Sequence, residues 1–259
     1  MPQLIPTRPQ QLISVIIPAL NEEDGIEKTI SSIPKKKLSE LGYGLEIIVV
    51  DGNSTDLTTE IATQMGARVV HEKREGYGRA YKTGFSEAKG DILVTLDADG
   101  TYPAELIPDY LEQLRKKSLD FVTTNRFSYM QSGAMDFYHK LGNDFLSMIM
   151  RLLYSVDVRD SQSGMWLMSR SFVQRINLVS DGFSMSEEIK IIAFRFFKSL
   201  ELDGRYCKRL GKVKLAALKD GWRNLKYLFL YRSLINGAVK SPIGLPAESI
   251  DTGAATNIV

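Results

Sequence analysis

Two aspartates one residue apart, Asp97 and Asp99, follow directly on the apolar run Asp91-Ile-Leu-Val-Thr-Leu96. Carboxylates spaced this way at a strand end can grip one hard divalent cation. Mg2+ and Mn2+ prefer oxygen ligands, often take only one or two carboxylates, and complete their shell with phosphate and water. Such an ion neutralises the charge of a departing diphosphate. An isolated Asp-x-Asp is more often a solvated turn. Here the preceding strand and the following Gly100-Thr-Tyr-Pro103 bring the metal reading level with the turn reading.

Other charged residues could meet phosphate. Arg126 follows the run Asp120–Thr124, and Arg209, Lys212 and Lys214 lie in Arg209-Leu-Gly-Lys-Val-Lys214. A guanidinium fork donates two parallel hydrogen bonds to phosphate, although each of these cations could also be a solvated surface charge. Glu187 and Glu188 fall on an expected helix, where they read as surface carboxylates. The single cysteine, Cys207, excludes an internal disulfide and fits a reducing compartment. His71 and His139 are far apart in the chain and are weak candidates for a metal pair or triad. With 33 basic and 31 acidic residues the net charge is +2, which gives no global electrostatic case for a nucleic-acid partner.

These groups need a scaffold. The chain has 259 residues, 44% apolar and 25% charged, a globular balance with room for a sizeable core. Short apolar runs at 13–18, 45–50, 67–71, 91–96 and 120–124 read as buried strands. Helical stretches separate them: one from an expected cap at Asn21 to about Ser32, one through Met65, one over 76–88 and one over 103–117, with a polar connection at 34–44. Buried strands joined by helices imply an α/β fold with a mostly parallel sheet, whose ligands sit beyond the carboxyl ends of the strands. Asn21/Glu22, Asp51 and Asp97/Asp99 all follow such ends. The second half predicts helices over 137–154, 186–197 and 220–239, and a short strand over 165–168.

The order of the motifs resembles a known family. Val15-Ile-Ile-Pro-Ala-Leu-Asn-Glu22, Ile48-Val-Val-Asp-Gly-Asn-Ser-Thr-Asp56, Gly76-Tyr-Gly-Arg-Ala80 with Gly84, and Leu96-Asp-Ala-Asp99 together look like the family 2 glycosyltransferases over about residues 13–126. That resemblance implies a GT-A fold, a Rossmann-like mixed sheet flanked by helices. Asp97-Ala-Asp-Gly-Thr-Tyr-Pro103, Asn125-Arg-Phe127, Asp160-Ser-Gln-Ser-Gly164 and the 209–214 stretch are similar to the dolichyl-phosphate mannose and glucose synthases. The implied reaction moves one sugar from a nucleotide diphosphate-sugar to the phosphate of a polyprenol, with inversion. Similarity of Asp99-Gly-Thr-Tyr102 favours UDP-glucose or UDP-N-acetylglucosamine as donor; GDP-mannose, a glycan-hydroxyl acceptor and a non-catalytic nucleotide-sugar-binding role stay open.

Residue by residue, the resemblance implies donor binding by Pro18, Leu20, Glu22, Asp51, Gly78, Asp97 and Ala98, with Gly76 and Gly84 letting a turn and helix approach the donor. It implies Mg2+ or Mn2+ on Asp97 and Asp99, and catalytic roles for Asp99, Arg126 and Arg209. The acceptor phosphate would meet Arg126, Ser163, Arg209, Lys212 and Lys214. The family often has Asp where this chain has Gly52, mannose synthases often carry a metal-binding Gln where it has Thr101, and the resemblance also offers Glu187 and Glu188 as a general base.

No run of about 20 apolar residues is present, so no spanning helix is expected. Phe145, Met148, Ile149, Leu152 and Leu153 form an apolar stripe; Trp222, Leu225, Phe229 and Leu230 stand beside Arg223, Lys226 and Arg232. Either set could pack in the core or lie on a membrane surface. The expected organisation is a tail over 1–12, without a signal-peptide layout, the GT-A domain over 13–219, an amphipathic helix over 220–241 and a flexible tail over 242–259. The expected location is peripheral on the cytoplasmic face of a membrane.

Overall fold

The computed structural model describes residues 11–211 and 217–236. Their strands are β1 (Gln11–Ala19), β2 (Tyr43–Asp51), β3 (Arg68–His71), β4 (Ile92–Thr95), β5 (Phe121–Met130), β6 (Trp166–Ser169) and β7 (Ser199–Tyr206). They form one mixed sheet in the order β3-β2-β1-β4-β6-β5-β7. β1 pairs in parallel with β2 and β4, and β2 with β3. β6 runs antiparallel to both neighbours, β4 and β5, and β7 closes the far edge parallel to β5. The sheet is therefore the expected mostly parallel α/β sheet, with one reversed strand in its middle.

Helices cover both faces, and the strand period of two decides which residue meets which layer. From β1, Ile13, Val15 and Ile17 face one cluster, packed beneath α1 (Ile26–Ser32), α2 (Lys35–Glu40), α3 (Thr58–Gln64) and α5 (Ile107–Lys116). Ile16 faces the other, with Phe121 and Trp166, against α4 (Tyr77–Glu87), α7 (Arg170–Arg175) and α8 (Met185–Phe196). A third cluster joins α6 (Phe137–Tyr154) to α9 (Ala217–Asn236) through Met150, Tyr154, Leu228 and Tyr231.

Several elements differ from the sequence expectation. The connection after Pro34 contains α2, and α7 and β7 were not anticipated. The first helix starts only at Ile26. Asn21 does not cap it: it sits at φ 51 and its amide oxygen accepts from the Thr55 N–H at 2.7 Å. Gln11 and Leu12, expected in a tail, already belong to β1. Residues 1–10, Lys212, Lys214, the end of the expected helix at 237–241 and the tail at 242–259 lie outside the described residues. No helix among the described residues is long and apolar enough to cross a membrane.

Candidate active site

Because β1, β2 and β4 are parallel, their carboxyl ends reach one edge of the sheet. That edge carries Pro18 near the end of β1, Leu20 and Glu22 just beyond it, Asp51 at the end of β2, and the Asp97-Ala98-Asp99 turn after β4. The turn packs very closely on α1. A Cβ on Gly25 would lie 2.7 Å from the Ala98 carbonyl oxygen and 2.8 Å from the Asp99 Cα, so only glycine admits this approach.

Asp97 Oδ1 accepts hydrogen bonds from the hydroxyls of Tyr77 at 3.1 Å and Tyr81 at 3.3 Å. Desolvation, then the nearby negative charge of Asp99, push the Asp97 carboxyl up to about 6. Asp99 is 1% exposed. Its Oδ1 accepts from Thr101 N at 3.0 Å and Thr101 Oγ1 at 2.6 Å, and its Oδ2 lies 2.6 Å from Arg209 Nη2. Arg209 also stands 3.7 Å from Glu22 Oε1. Its segment is tied across the acidic turn by Cys207 N to the Thr101 carbonyl and Leu210 N to the Asp99 carbonyl, both 2.9 Å.

This donor set fits a divalent ion in a limited way. Among the described residues no cluster of three or more His, Cys, Asp or Glu side chains is disposed around one metal position. Two carboxylates remain, Asp97 and Asp99, whose mutual repulsion raises one of them and calls for positive charge. Mg2+ or Mn2+ can be held by two carboxylates when substrate phosphate and water supply the rest. Thr101 spends its hydroxyl on Asp99.

Arg126 is placed differently from the phosphate-facing residue expected. It is 7% exposed, and its fork closes on Asp160, with Nε to Oδ2 at 2.7 Å and Nη2 to Oδ1 at 2.9 Å. Its backbone N–H also donates to Oδ2 at 3.1 Å, and its guanidinium sits 5.2 Å from the Tyr206 ring centre. Burial alone would push the Asp160 carboxyl up; the adjacent guanidinium outweighs that and holds it below the usual carboxylate range. Ser163 is fully buried, its hydroxyl 2.9 Å from that of Thr124. The acceptor-phosphate set expected from the sequence thus separates: Arg209 lies on the acidic pair, Arg126 and Ser163 are committed inside the fold, and Lys212 and Lys214 are outside the described residues.

Other expected site residues serve the protein's own packing. Asp51, 2% exposed, caps the end of β2 by accepting from Asn53 N at 3.2 Å and Ser54 N at 3.1 Å, and lies 3.1 Å from His71 Nδ1. A Cβ on Gly78 would meet the Ser180 carbonyl oxygen at 2.7 Å and Met185 Cβ at 2.8 Å. One on Gly76 would meet the Asp181 carbonyl oxygen at 2.2 Å, and one on Gly84 would meet Ile16 Cγ2 at 2.4 Å. Within the fold, these glycines permit close approach to the 180–185 segment and to β1. Glu187 and Glu188 are both buried, not helix-surface carboxylates. Glu187 Oε1 accepts from Gln162 Nε2 at 2.8 Å, and Glu188 accepts from Val179 N at 2.7 Å and Ser180 N at 2.8 Å.

Tyr77, Tyr81 and Asp160 were missed as site residues. The tyrosines are four apart on α4, a spacing that puts both on one helix face. Asp160 opened a motif noted in the sequence without a role of its own.

The stripe on α6 divides between two environments. Ile149 and Leu153 pack against the third core cluster, whereas Phe145, Met148 and Leu152 are exposed, in line with Phe137 and Leu141. On α9, Leu225 packs inward while Trp222, Phe229 and Leu230 face out beside the exposed Arg223 and Lys226.

The acidic turn lies at the carboxyl edge of a mostly parallel sheet, where α/β folds bind their ligands, and the comparisons supply the family. The chain belongs to glycosyl transferase family 2, which residues 14–176 match. It is 30% identical over 255 residues to the dolichol-phosphate mannosyltransferase of Pyrococcus furiosus, covering 93% of this chain and 70% of that protein. It is 33% identical over 223 residues to the low-salt glycan biosynthesis hexosyltransferase Agl6 of Haloferax volcanii, covering 84% of this chain but 53% of that one, so it spans about half of that relative's length. Among solved structures, glucosyl-3-phosphoglycerate synthase from Mycobacterium tuberculosis with Mn2+ and UDP-glucose superposes with a TM-score of 0.68 at 26% identity, covering 91% of this chain and 83% of that one. The same enzyme has been crystallised with Mg2+ and UDP. The fold is GT-A, and the chain is a family 2 glycosyltransferase.

Proposed function

We propose that this enzyme moves one hexose, with inversion, from a nucleotide diphosphate-sugar to a polyprenyl or dolichyl phosphate at a membrane surface. UDP-glucose and UDP-N-acetylglucosamine are the favoured donors. The observation that carries the reading is the buried Asp97/Asp99 pair with Arg209 laid against it at the sheet's carboxyl edge. Asp97 and Asp99 would hold Mg2+ or Mn2+, whose chemistry when bound is neutralisation of the leaving diphosphate. Arg209 can exchange an Asp99 oxygen for a phosphate oxygen, and its fork suits either partner. Pro18, Leu20 and Glu22 line the same edge and would flank the nucleoside.

The acceptor class follows from proton accounting. A hydroxyl acceptor must lose a proton to a base, whereas a lipid phosphate is already anionic. Glu187 and Glu188, the candidate bases, are buried and committed to Gln162 and to two backbone N–H groups. In the proposed step a phosphate oxygen bonds to the anomeric carbon as its bond to the diphosphate oxygen breaks on the opposite face. The outward apolar and basic side chains of α9, with the exposed stripe of α6, suit a lipid surface. We infer a peripheral position on the cytoplasmic face, where Cys207 would stay reduced.

The test is a panel of UDP-glucose, UDP-N-acetylglucosamine and GDP-mannose with a short polyprenyl phosphate and Mg2+ or Mn2+, read by product mass and anomeric NMR. Expected is a hexosyl phospholipid of inverted configuration. Retained configuration overturns the in-line step, and failure to consume any donor sinks the reading. A second reading, transfer to a small phosphorylated acid, is favoured by the structural match to glucosyl-3-phosphoglycerate synthase. Phosphoglyceric acid in the same panel separates the two.

A further inference from the structure

The loop Asp160-Ser-Gln-Ser-Gly164, between α6 and β6, touches the site at both ends. Asp160 grips Arg126. At Gly164 a Cβ would stand 2.5 Å from the Tyr77 hydroxyl and 3.1 Å from Asp97 Oδ1. A tilt of this loop therefore moves both the Arg126 pair and the wall of the acidic turn. No helix or strand ladder holds it, so other groups must take up its backbone donors and acceptors. Lys190 Nζ donates to the carbonyls of Asp160 at 2.9 Å and Ser163 at 2.7 Å. Asp160 N donates to Glu201, Ser161 N to Ser147, and Gly164 N to the Tyr102 hydroxyl.

The middle of the loop is held by one side chain. Gln162 Nε2 donates to Glu187 Oε1 of α8 at 2.8 Å, and Gln162 Oε1 accepts from Asn224 Nδ2 of α9 at 3.0 Å. Glu187 is fully buried and Asn224 is 5% exposed. Glu187 Oε2 is buried without a hydrogen-bond partner, so the chain rests on its two links, and losing either leaves a further buried polar group unpaired. We propose that Glu187, Gln162 and Asn224 are positioning residues: they set the height of the Asp160–Gly164 loop under the active site, and so make the seating of α9 part of the site's geometry. The inference rests on the transferase reading above.

In this role Glu187 needs only to accept a hydrogen bond. Burial, only partly offset by Gln162 and Lys190, holds its carboxyl well above the usual range, consistent with a neutral acceptor. Glu187→Gln keeps an acceptor of the same shape; Glu187→Leu and Asn224→Leu remove a link. With the full chain, Mn2+, donor and short polyprenyl phosphate, Glu187→Gln should retain kcat, while both leucine variants should lose about ten- to a hundred-fold in kcat with the donor KM little changed. Hydrogen exchange should show the amides of 160–164 losing protection in the leucine variants, with β1 and β4 unchanged. Loss of kcat in Glu187→Gln equal to that in Glu187→Leu would overturn the proposal in favour of a general base. Unchanged exchange in both leucine variants would overturn it as well. An inactive parent enzyme would instead count against the transferase reading, leaving the exchange measurement to decide the positioning role.

Discussion

Replacing Asp160 with alanine should be among the most damaging single changes available in this fold. The carboxylate receives three hydrogen bonds from Arg126, at 2.7, 2.9 and 3.1 Å, and the two side chains are 0% and 8% exposed. Removing one member of such a pair leaves an uncompensated buried guanidinium, which costs about 3–5 kcal/mol. A domain has only about 5–15 kcal/mol in total. For a chain of this size the loss lowers the melting temperature by roughly 6–20 °C. The double variant Asp160→Ala/Arg126→Met removes both charges and should recover most of the loss, because well-packed apolar replacements of buried ion pairs are often neutral. Urea unfolding of both variants measures this. The pH dependence has a definite sign: the folded carboxyl is held below its unfolded value, so the pair's contribution is complete above about pH 4 and fades as pH falls through the folded value. A loss below about 1 kcal/mol in the single variant, or a double variant no more stable than the single, would refute the reasoning.

Three further outcomes are expected. Asp99→Ala should keep the fold, judged by circular dichroism, and abolish both turnover and Mn2+-dependent UDP binding in calorimetry. Burial pulls the Lys190 ammonium down to about 7, with Asp160 opposing. The unfolded chain keeps that proton up to about pH 10, so stability should rise with pH between about 7 and 10. Urea midpoints of Lys190→Met should lack that rise; an equal slope in both proteins counts against it. Phe229→Glu/Leu230→Glu should abolish flotation with anionic vesicles without changing donor binding, since both side chains are exposed, at 53% and 66%.

The donor half of the molecule was legible because its signals are local. β1, β2 and β4 carry buried apolar runs, and the acidic turn follows the last of them after Leu96; β3, Arg-Val-Val-His, is short and only partly buried. β7 was not legible: Ser-Leu-Glu-Leu-Asp-Gly-Arg-Tyr alternates at an edge and holds no apolar run. α2 was hidden by its composition, since only Leu38 of Lys-Lys-Lys-Leu-Ser-Glu is buried. The site behaved likewise. That Asp97 and Asp99 lie together could be read from one turn, but the partner of Arg126 stands 34 residues along the chain and that of Gln162 stands 62 residues along. Such pairings arise from tertiary packing, which residue types and spacing do not encode. A capped strand end at Asp51 and a tight helix contact at Gly78 use the kinds of residue that a ligand would, so residue type there does not separate the two uses.

The reversed direction of β6 has an evolutionary consequence. In a parallel strand the segment that follows reaches the functional edge, but in β6 it is the segment before the strand, residues 160–164, that arrives there. That segment depends on α6, α8 and α9, whereas the acidic turn depends on β4 and α1. Lineages can therefore alter the two sides of the reaction centre through different elements, with Gly164 against Tyr77 and Asp97 as the seam where both must still match.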